Sequence, residues 1–422
     1  MFDRAYHHWL HVLQRIVGIR EKTMARNATI ITISHGVGLL RGLITGYLVA
    51  RLLPREMYGQ YQFLLAAFGV AGFLNLPGID TSLRRAVARG EKGVLYRVFQ
   101  IHILISLIGT AALLIAIAFL NPDQRQTYWL PFVIAAVLFP VSQTSSTLFG
   151  ALSVGEAKFK LSLIANIVMS ALIALGALLI LFLKPSALLL FVTVIAVPAV
   201  VYLAFSKRIM PPSDPHIPTK PILIYAAQLS FLALPLYFST YVDKLMISAL
   251  FGVKQLAVFS VATLIPENIK TWSKEILPIS FAVQARGDNS LDRRWRLLLV
   301  VGRLTALALI PIALYIAFAP AIFAILFPNY PDAVFLTQVA GFFLITQPGA
   351  FLTQYLEAQK MLKALQWTQW LSSVFYLIAL VTLLPAFGLI GAIVARGVLR
   401  LSSVLLALYF LLRPHPRDIA MT

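Results

Sequence analysis

Hydrophobic stretches of about eighteen residues or more recur from one end of this chain to the other, each long enough for the ~30 Å hydrocarbon core of a bilayer. Of the 422 residues 59% are hydrophobic and only 12% charged, whereas a soluble domain carries about a quarter charged. The runs are continuously apolar rather than alternating over ~10 residues, which excludes a transmembrane β-barrel. The expected fold is an all-α polytopic membrane protein of twelve spans: 28–50, 58–82, 97–120, 129–153, 160–183, 187–206, 222–250, 256–284, 297–319, 333–356, 362–384 and 388–411.

The formal net charge of +19 is concentrated on one side of these spans. Arg84, Arg85, Arg89, Lys92 and Arg97 fall in one connection, Arg286, Arg293, Arg294 and Arg296 in another, and the opposite side holds only Arg51, Arg55, Arg125, Lys184 and Lys254. By the positive-inside rule both termini are cytoplasmic, and nucleic acid is not needed to explain the charge. Ala5 to Arg20 fits an amphipathic helix on the inner leaflet, with Trp9, Leu13 and Ile16 on one face and His7, His11 and Arg15 on the other. The spacing of His7 and His11 reads as a wet interfacial face rather than a metal site. Residues 1–26 have too short an apolar segment and no small-residue cleavage site for a signal peptide. The chain has no cysteine, so disulfides and thiolate chemistry are excluded.

The chain reads as two halves. Leu53-Pro54 aligns with Phe251-Gly252, Tyr58-Gly59 with Leu256-Ala257, and Tyr61-Gln62 with Phe259-Ser260, a constant offset of 198 residues. Gly155 to Lys160 sits opposite Ala358 to Lys363 at an offset of 203. Between the halves lies the Pro-rich 207–221. The expected order is a cytoplasmic amphipathic segment (1–26), a first lobe of spans 1–6 (27–206), a cytoplasmic linker (207–221), a second lobe of spans 7–12 (222–412) and a cytoplasmic tail (413–422). Each half has an even number of spans, so the lobes have the same orientation, as in parallel-repeat transporters with a site between the repeats. Short loops and the absence of a G-x-x-x-x-G-K-[ST] run argue against an enzyme and against ATP hydrolysis.

Charges inside spans need a reason, because each costs at least a few kcal/mol there. Arg41 lies about 22 Å of helix beyond Arg26, past the midplane. It reads either as a structural ion pair or as a ligand-facing cation. Gly38, Gly42 and Gly46 around it form a GxxxGxxxG face, read as helix packing. Asp243 and Lys244 sit side by side in span 7 but point about 100° apart, so they do not simply neutralise each other. Asp243 is expected to pair with Arg41 across the lobes while Lys244 faces a cavity. In span 8, Glu267, Lys270, Lys274 and Glu275 cluster between Pro266 and Pro278, and in span 12 Arg396 and Arg400 are one turn apart. Arg303 reads as snorkelling to the inner boundary. Asp80 is expected to cap span 2 or pair with Arg84, and His35 and His102 read as hydrogen-bonded structural histidines rather than proton relays. Intramembrane Lys and Arg outnumber Asp and Glu, which suits an anion, with phosphate the natural match.

With ARLLPREMYGQYQF (50–63), LPGIDTSLRRAVARG (76–90) and VDKLMISALFGVKQLAVFS (242–260), the chain resembles the polysaccharide or oligosaccharide flippases of the multidrug/oligosaccharidyl-lipid/polysaccharide exporter superfamily. Pro54 and Ala257 depart from the glycines usual at these turns. The resemblance implies a transporter of the bacterial inner membrane that flips an undecaprenyl-diphosphate-linked oligosaccharide from the cytoplasmic to the outer leaflet. Alternating access would be driven by an ion gradient or membrane potential, with no cofactor. The implied partners are the lipid-linked substrate, membrane lipids and the polysaccharide polymerase and export machinery, with no nucleic acid. Carried onto this chain, Arg41, Lys244, Lys270, Lys274 and Arg396 would hold the diphosphate, Asp243 and Glu267 would gate or couple ions, and no residue is catalytic or metal-binding. Two other readings compete. A MATE-type drug antiporter predicts an acidic interior, and a membrane enzyme of polysaccharide polymerisation predicts a sizeable outer loop with a working carboxylate.

Overall fold

The computed structural model describes residues 22–210, 212, 214, 217–285, 291–359 and 361–413, without the side chains of 22–28, 35, 123, 236, 272–285 and 291–293. The expected amphipathic helix with His7 and His11 lies outside the described residues, as do the side chains of His35, Lys274 and Glu275. Helices follow one another along the chain: α1 (Lys22–Leu52), α2 (Arg55–Phe73), α3 (Gly78–Ala88), α4 (Leu95–Ala118), α5 (Pro122–Gly155), α6 (Phe159–Leu183), α7 (Ala187–Lys207), α8 (Lys220–Ala285), α9 (Leu291–Leu326), α10 (Ala333–Phe342), α11 (Ala350–Ala358) and α12 (Leu362–Leu412). Short 3-10 turns occupy Lys92–Val94 and Phe343–Gly349. There is no strand among the described residues.

Nine of these helical segments are long and apolar enough to cross a membrane, and the bent pair α2–α3 makes a tenth. Two helices contain a residue that is not helical, Gly252 in α8 (φ 81, ψ 170) and Gly388 in α12 (φ 60, ψ −140). Both conformations are open to glycine and costly for other residues. Divided there, the ten become the twelve spans read from the sequence. Span 2 differs from expectation. Instead of one continuous helix over 58–82, α2 and α3 meet at 57°, and Leu76 at the join has φ 52. Pro77 accounts for the interruption of the helix, since a residue before proline is disfavoured in the helical region, though not for the positive φ of Leu76.

Both internal matches are visible in the backbone. α1 stops before Pro54 (φ −54, ψ 144), and α8 breaks at Gly252, the aligned position. The turn between α5 and α6 has Lys158 at φ −82, ψ 52, and that between α11 and α12 has Met361 at φ −78, ψ 57. The Lys158 amide donates to the Ser153 carbonyl at 2.7 Å, and the Met361 amide to the Leu356 carbonyl at 2.8 Å. This is the six-residue closure of a Schellman helix end. Two pairs of aligned residues, Ser153 with Leu356 and Lys158 with Met361, thus make equivalent hydrogen bonds with dissimilar side chains.

Prolines within the spans leave carbonyls without their helical donor, and in lipid no water replaces it. The structure supplies donors from neighbouring helices. The Thr110 hydroxyl donates to the carbonyl of Ala136, freed by Pro140, at 3.0 Å. Gln338 Nε2 donates to the carbonyl of Ile316, freed by Pro320, at 2.9 Å. His102 is buried, with Nε2 at 3.0 Å from the Asn75 carbonyl in the α2–α3 break, and this matches the structural reading of that histidine.

Packing divides the chain into two units, Ile33–Ala257 and Val258–Thr422 with Met1–Thr32. In the first, Ile79, Leu83, Val94, Val98, Leu152 and Ala226 form a core between α3, α4, α5 and the start of α8. Ser230 Oγ accepts the Gly78 amide at 2.9 Å, capping α3 from α8. Glu56 and Lys254, aligned positions of the two matches, pair with each other at 3.3 Å. Beside them Gly59 lies so close to the Val253 carbonyl that a Cβ has no room. In the second unit, Leu352, Tyr355, Leu356, Ala407 and Leu411 form the core of α11 and α12. Arg294 is buried there, and its Nη1 donates to the carbonyls of Leu411 and Arg413 at 3.3 and 3.4 Å. It caps the end of α12, a role its position in a basic connection did not suggest.

Candidate functional site

The first unit holds three of the expected site residues. Arg41 is carried on α1 together with Ser34 and Thr45, which helical spacing puts on the same face. Ser34 accepts a hydrogen bond from Asn166 of α6 at 2.7 Å, and Asn166 Oδ1 accepts from Tyr202 of α7 at 3.4 Å. The electrostatic neighbours of Arg41 are Tyr202 and Tyr61. Among the described residues its buried Nη1 has no hydrogen-bond partner, and neither has the Thr45 hydroxyl one turn further on. The expected pairing of Arg41 with Asp243 is not formed: no ion pair of Arg41 occurs among the described residues, and both residues fall in one unit. Asp243 is fully buried, and its Oδ1 accepts the Lys244 amide at 2.7 Å.

The glycines near Arg41 are not the tight packing face expected of them. Gly38 has open space where a Cβ would be, and Gly42 is exposed. Close approach occurs elsewhere, at Gly59 and at Gly69, whose Cα faces the Tyr241 ring.

Lys244 donates to Gln62 Oε1 of α2 at 3.0 Å and lines a cavity of about 500 Å³ at the α2–α3 break. Asn75, Asp80, Arg84, Gln143, Tyr237 and Tyr241 share that lining. Asp80 pairs with Arg84 at 2.7 Å, as expected. Helical breaks lining cavities are a recurring way for transporters to expose polar backbone to a ligand.

The second unit gathers Glu267 and Lys270 of α8 with Arg396 and Arg400 of α12. One carboxylate takes all three cations, Lys270 at 2.7 Å, Arg396 at 3.1 Å and Arg400 at 2.6 Å. The Arg396 guanidinium also lies 4.9 Å from the centroid of the buried Phe259 ring, a cation–π contact. The free space beside the cluster is only about 10 Å³. Three cations around one carboxylate leave the cluster net positive, and its geometry is that of a clamp between α8 and α12. The α8 spacing and the α12 spacing were each legible, but their convergence on Glu267 was not. The side chain of Lys274 lies outside the described residues. Gln62, Asn75, Gln143 and Tyr241 had no sequence signal beyond being polar within apolar runs.

Twelve spans, helices broken at glycine and proline, and charged side chains held inside the spans define a multi-pass membrane protein built like a transporter. The chain belongs to the polysaccharide biosynthesis protein family, whose profile matches residues 24–270. No curated protein sequence matches it. Among solved structures it is similar to an outward-facing multidrug resistance MATE family transporter of the MOP superfamily, at 17% identity and TM-score 0.64, covering 94% of this chain and 96% of that one. It is also similar to the lipid II flippase MurJ in an inward closed conformation, at 12% identity and TM-score 0.63, covering 93% and 89%. A MOP superfamily transporter from Pyrococcus furiosus, described as having a binding pocket of reversed polarity, matches at 14% identity and TM-score 0.60, covering 94% and 97%. The fold is that of the MOP superfamily.

Proposed function

We propose that this protein flips an undecaprenyl-diphosphate-linked oligosaccharide from the cytoplasmic to the outer leaflet of the bacterial inner membrane by alternating access. Both termini are cytoplasmic in this reading, and an ion gradient or membrane potential drives the cycle. The observation that carries it is Arg41, whose Nη1 is buried without a partner inside a span, next to an equally unpartnered Thr45 hydroxyl. Buried donors are normally satisfied, and a diphosphate offers the acceptors that the protein lacks here. Lys244 supplies a second cation in the same unit. Asp243, fully buried, takes the coupling role, while Glu267 acts as the structural clamp of Lys270, Arg396 and Arg400.

The likeness to MATE structures favours a drug antiporter as the second reading. Such a transporter needs carboxylates available to a cation, and two of the interior carboxylates, Asp80 and Glu267, are held by Arg84 and by three basic side chains. The experiment that separates the readings is the fate of lipid-linked repeat units in a deletion strain. The flippase reading expects full-length units accumulating on the cytoplasmic face. Unlinked units on the outer face indicate a polymerase instead, and unchanged lipid-linked pools with increased drug sensitivity indicate the antiporter.

A further inference from the structure

A flippase for glycosylated diphosphates has to accommodate the sugar as well as the charge, and the first sugar is bonded directly to the diphosphate. A saccharide subsite therefore has to adjoin a phosphate-binding cation. The cavity at the α2–α3 break meets that requirement, because Lys244 is part of its lining. Its volume of about 500 Å³ falls within the ~300–1,000 Å³ of ordinary small-molecule sites.

The lining has the chemistry of a neutral, hydroxyl-rich ligand. Asn75 and Gln143 present side-chain amides, which donate and accept at once and so match sugar hydroxyls. Tyr237 and Tyr241 present aromatic surface with a hydroxyl at the edge. Asp80 and Arg84 neutralise each other at 2.7 Å, so the acid is not available to a cationic drug. Asn75 supplies an independent observation. It is 4% exposed, and its buried Oδ1 has no hydrogen-bond partner among the described residues. It stands in the broken segment between α2 and α3, where Leu76 has φ 52 and His102 holds the Asn75 backbone carbonyl at 3.0 Å. The break is thus fixed from behind while the amide oxygen is left without a partner. Strain and an unsatisfied acceptor in one segment mark a site rather than a packing solution.

We infer that this cavity is the saccharide subsite, with Asn75 and Gln143 on the sugar hydroxyls, Tyr241 against the ring, and Lys244 at the boundary with the diphosphate. The assignment rests on the flippase reading. The test uses the full chain in nanodiscs with two probes: undecaprenyl diphosphate alone, and the lipid-linked oligosaccharide extracted from the deletion strain. The wild type is expected to bind the glycosylated probe more tightly than the bare diphosphate. Asn75→Ala and Gln143→Leu are each expected to lose about tenfold in affinity for the glycosylated probe, as for lost hydrogen bonds to a ligand, with binding of the bare diphosphate and thermal stability unchanged. Gly69→Ala, which forces the Tyr241 ring to move, is expected to weaken the same probe selectively. If the wild type prefers the glycosylated probe and none of the three variants alters that preference, the subsite is wrong and the flippase reading stands. If the wild type binds neither probe, the flippase reading is wrong and the subsite falls with it.

Discussion

At the scale of single residues, Glu267 is the most heavily engaged carboxylate described. Lys270, one helical turn away, and Arg396 and Arg400, more than a hundred positions along the chain, all meet it. Removing the shared partner leaves several cations without the charge they surround, which in a largely buried setting costs far more than losing one of the three. Glu267→Gln is expected to lower stability by roughly 2–4 kcal/mol, read as a drop in thermal unfolding temperature in detergent. Arg400→Leu is expected to cost less, and the double variant less than the sum of the two, because the second change removes a charge the first has stranded. An additive double variant contradicts the clamp. Part of this cluster was legible before the fold: two charges per helix at one-turn spacing, in runs otherwise apolar. Their meeting was not, since no local spacing relates α8 to α12. The pairing of Arg41 with Asp243 failed for the same reason. Two lone opposite charges in lipid invite each other on paper, but Asp243 accepts a backbone amide, and Arg41 Nη1 meets no acceptor among the described residues.

At the scale of elements, the apolar runs gave helix positions well and helix shape poorly. Length and hydropathy marked all twelve spans, yet the break at 74–77 and the 3-10 stretch Phe343–Gly349 came from proline and local packing within runs that look continuous. Pro140 and Pro320 were visible in the sequence, whereas Thr110 and Gln338 as the donors to the carbonyls they free were not. These donors matter because the alternative is a bare carbonyl at membrane depth. Thr110→Val, nearly isosteric, is expected to destabilise by about 1–3 kcal/mol, and Thr110→Ser, which keeps the hydroxyl, by clearly less. Thermal unfolding of the two variants in the same detergent decides it. Equal losses assign the effect to the missing methyl or to packing, not to the hydrogen bond.

At the scale of the whole molecule, the two internal matches carried the most information for their length. They located the turns at Pro54 and Gly252, and the paired helix ends at Lys158 and Met361, although the matched side chains share little chemistry. What they could not give is which charges serve a ligand, because the aligned positions differ: Asp243-Lys244 stands opposite Thr45-Gly46. That difference puts a backbone-held acid and a Gln62-held lysine in span 7 where span 1 has an unpartnered hydroxyl beside Arg41. Arg41, whose Nη1 has no hydrogen-bond partner among the described residues, is thus the central cation proposed for the diphosphate. Its most direct test is translocation of the lipid-linked oligosaccharide in proteoliposomes containing the purified chain, followed by access of the sugar to an external probe. The wild type is expected to accelerate appearance of sugar on the far leaflet. Arg41→Ala is expected to lose about tenfold or more in rate with the protein still folded, since no hydrogen bond from Nη1 to a described residue is lost, and Arg41→Lys to retain part of it because a lysine keeps the charge but not the planar fork. Arg41→Ala translocating at the wild-type rate contradicts the account.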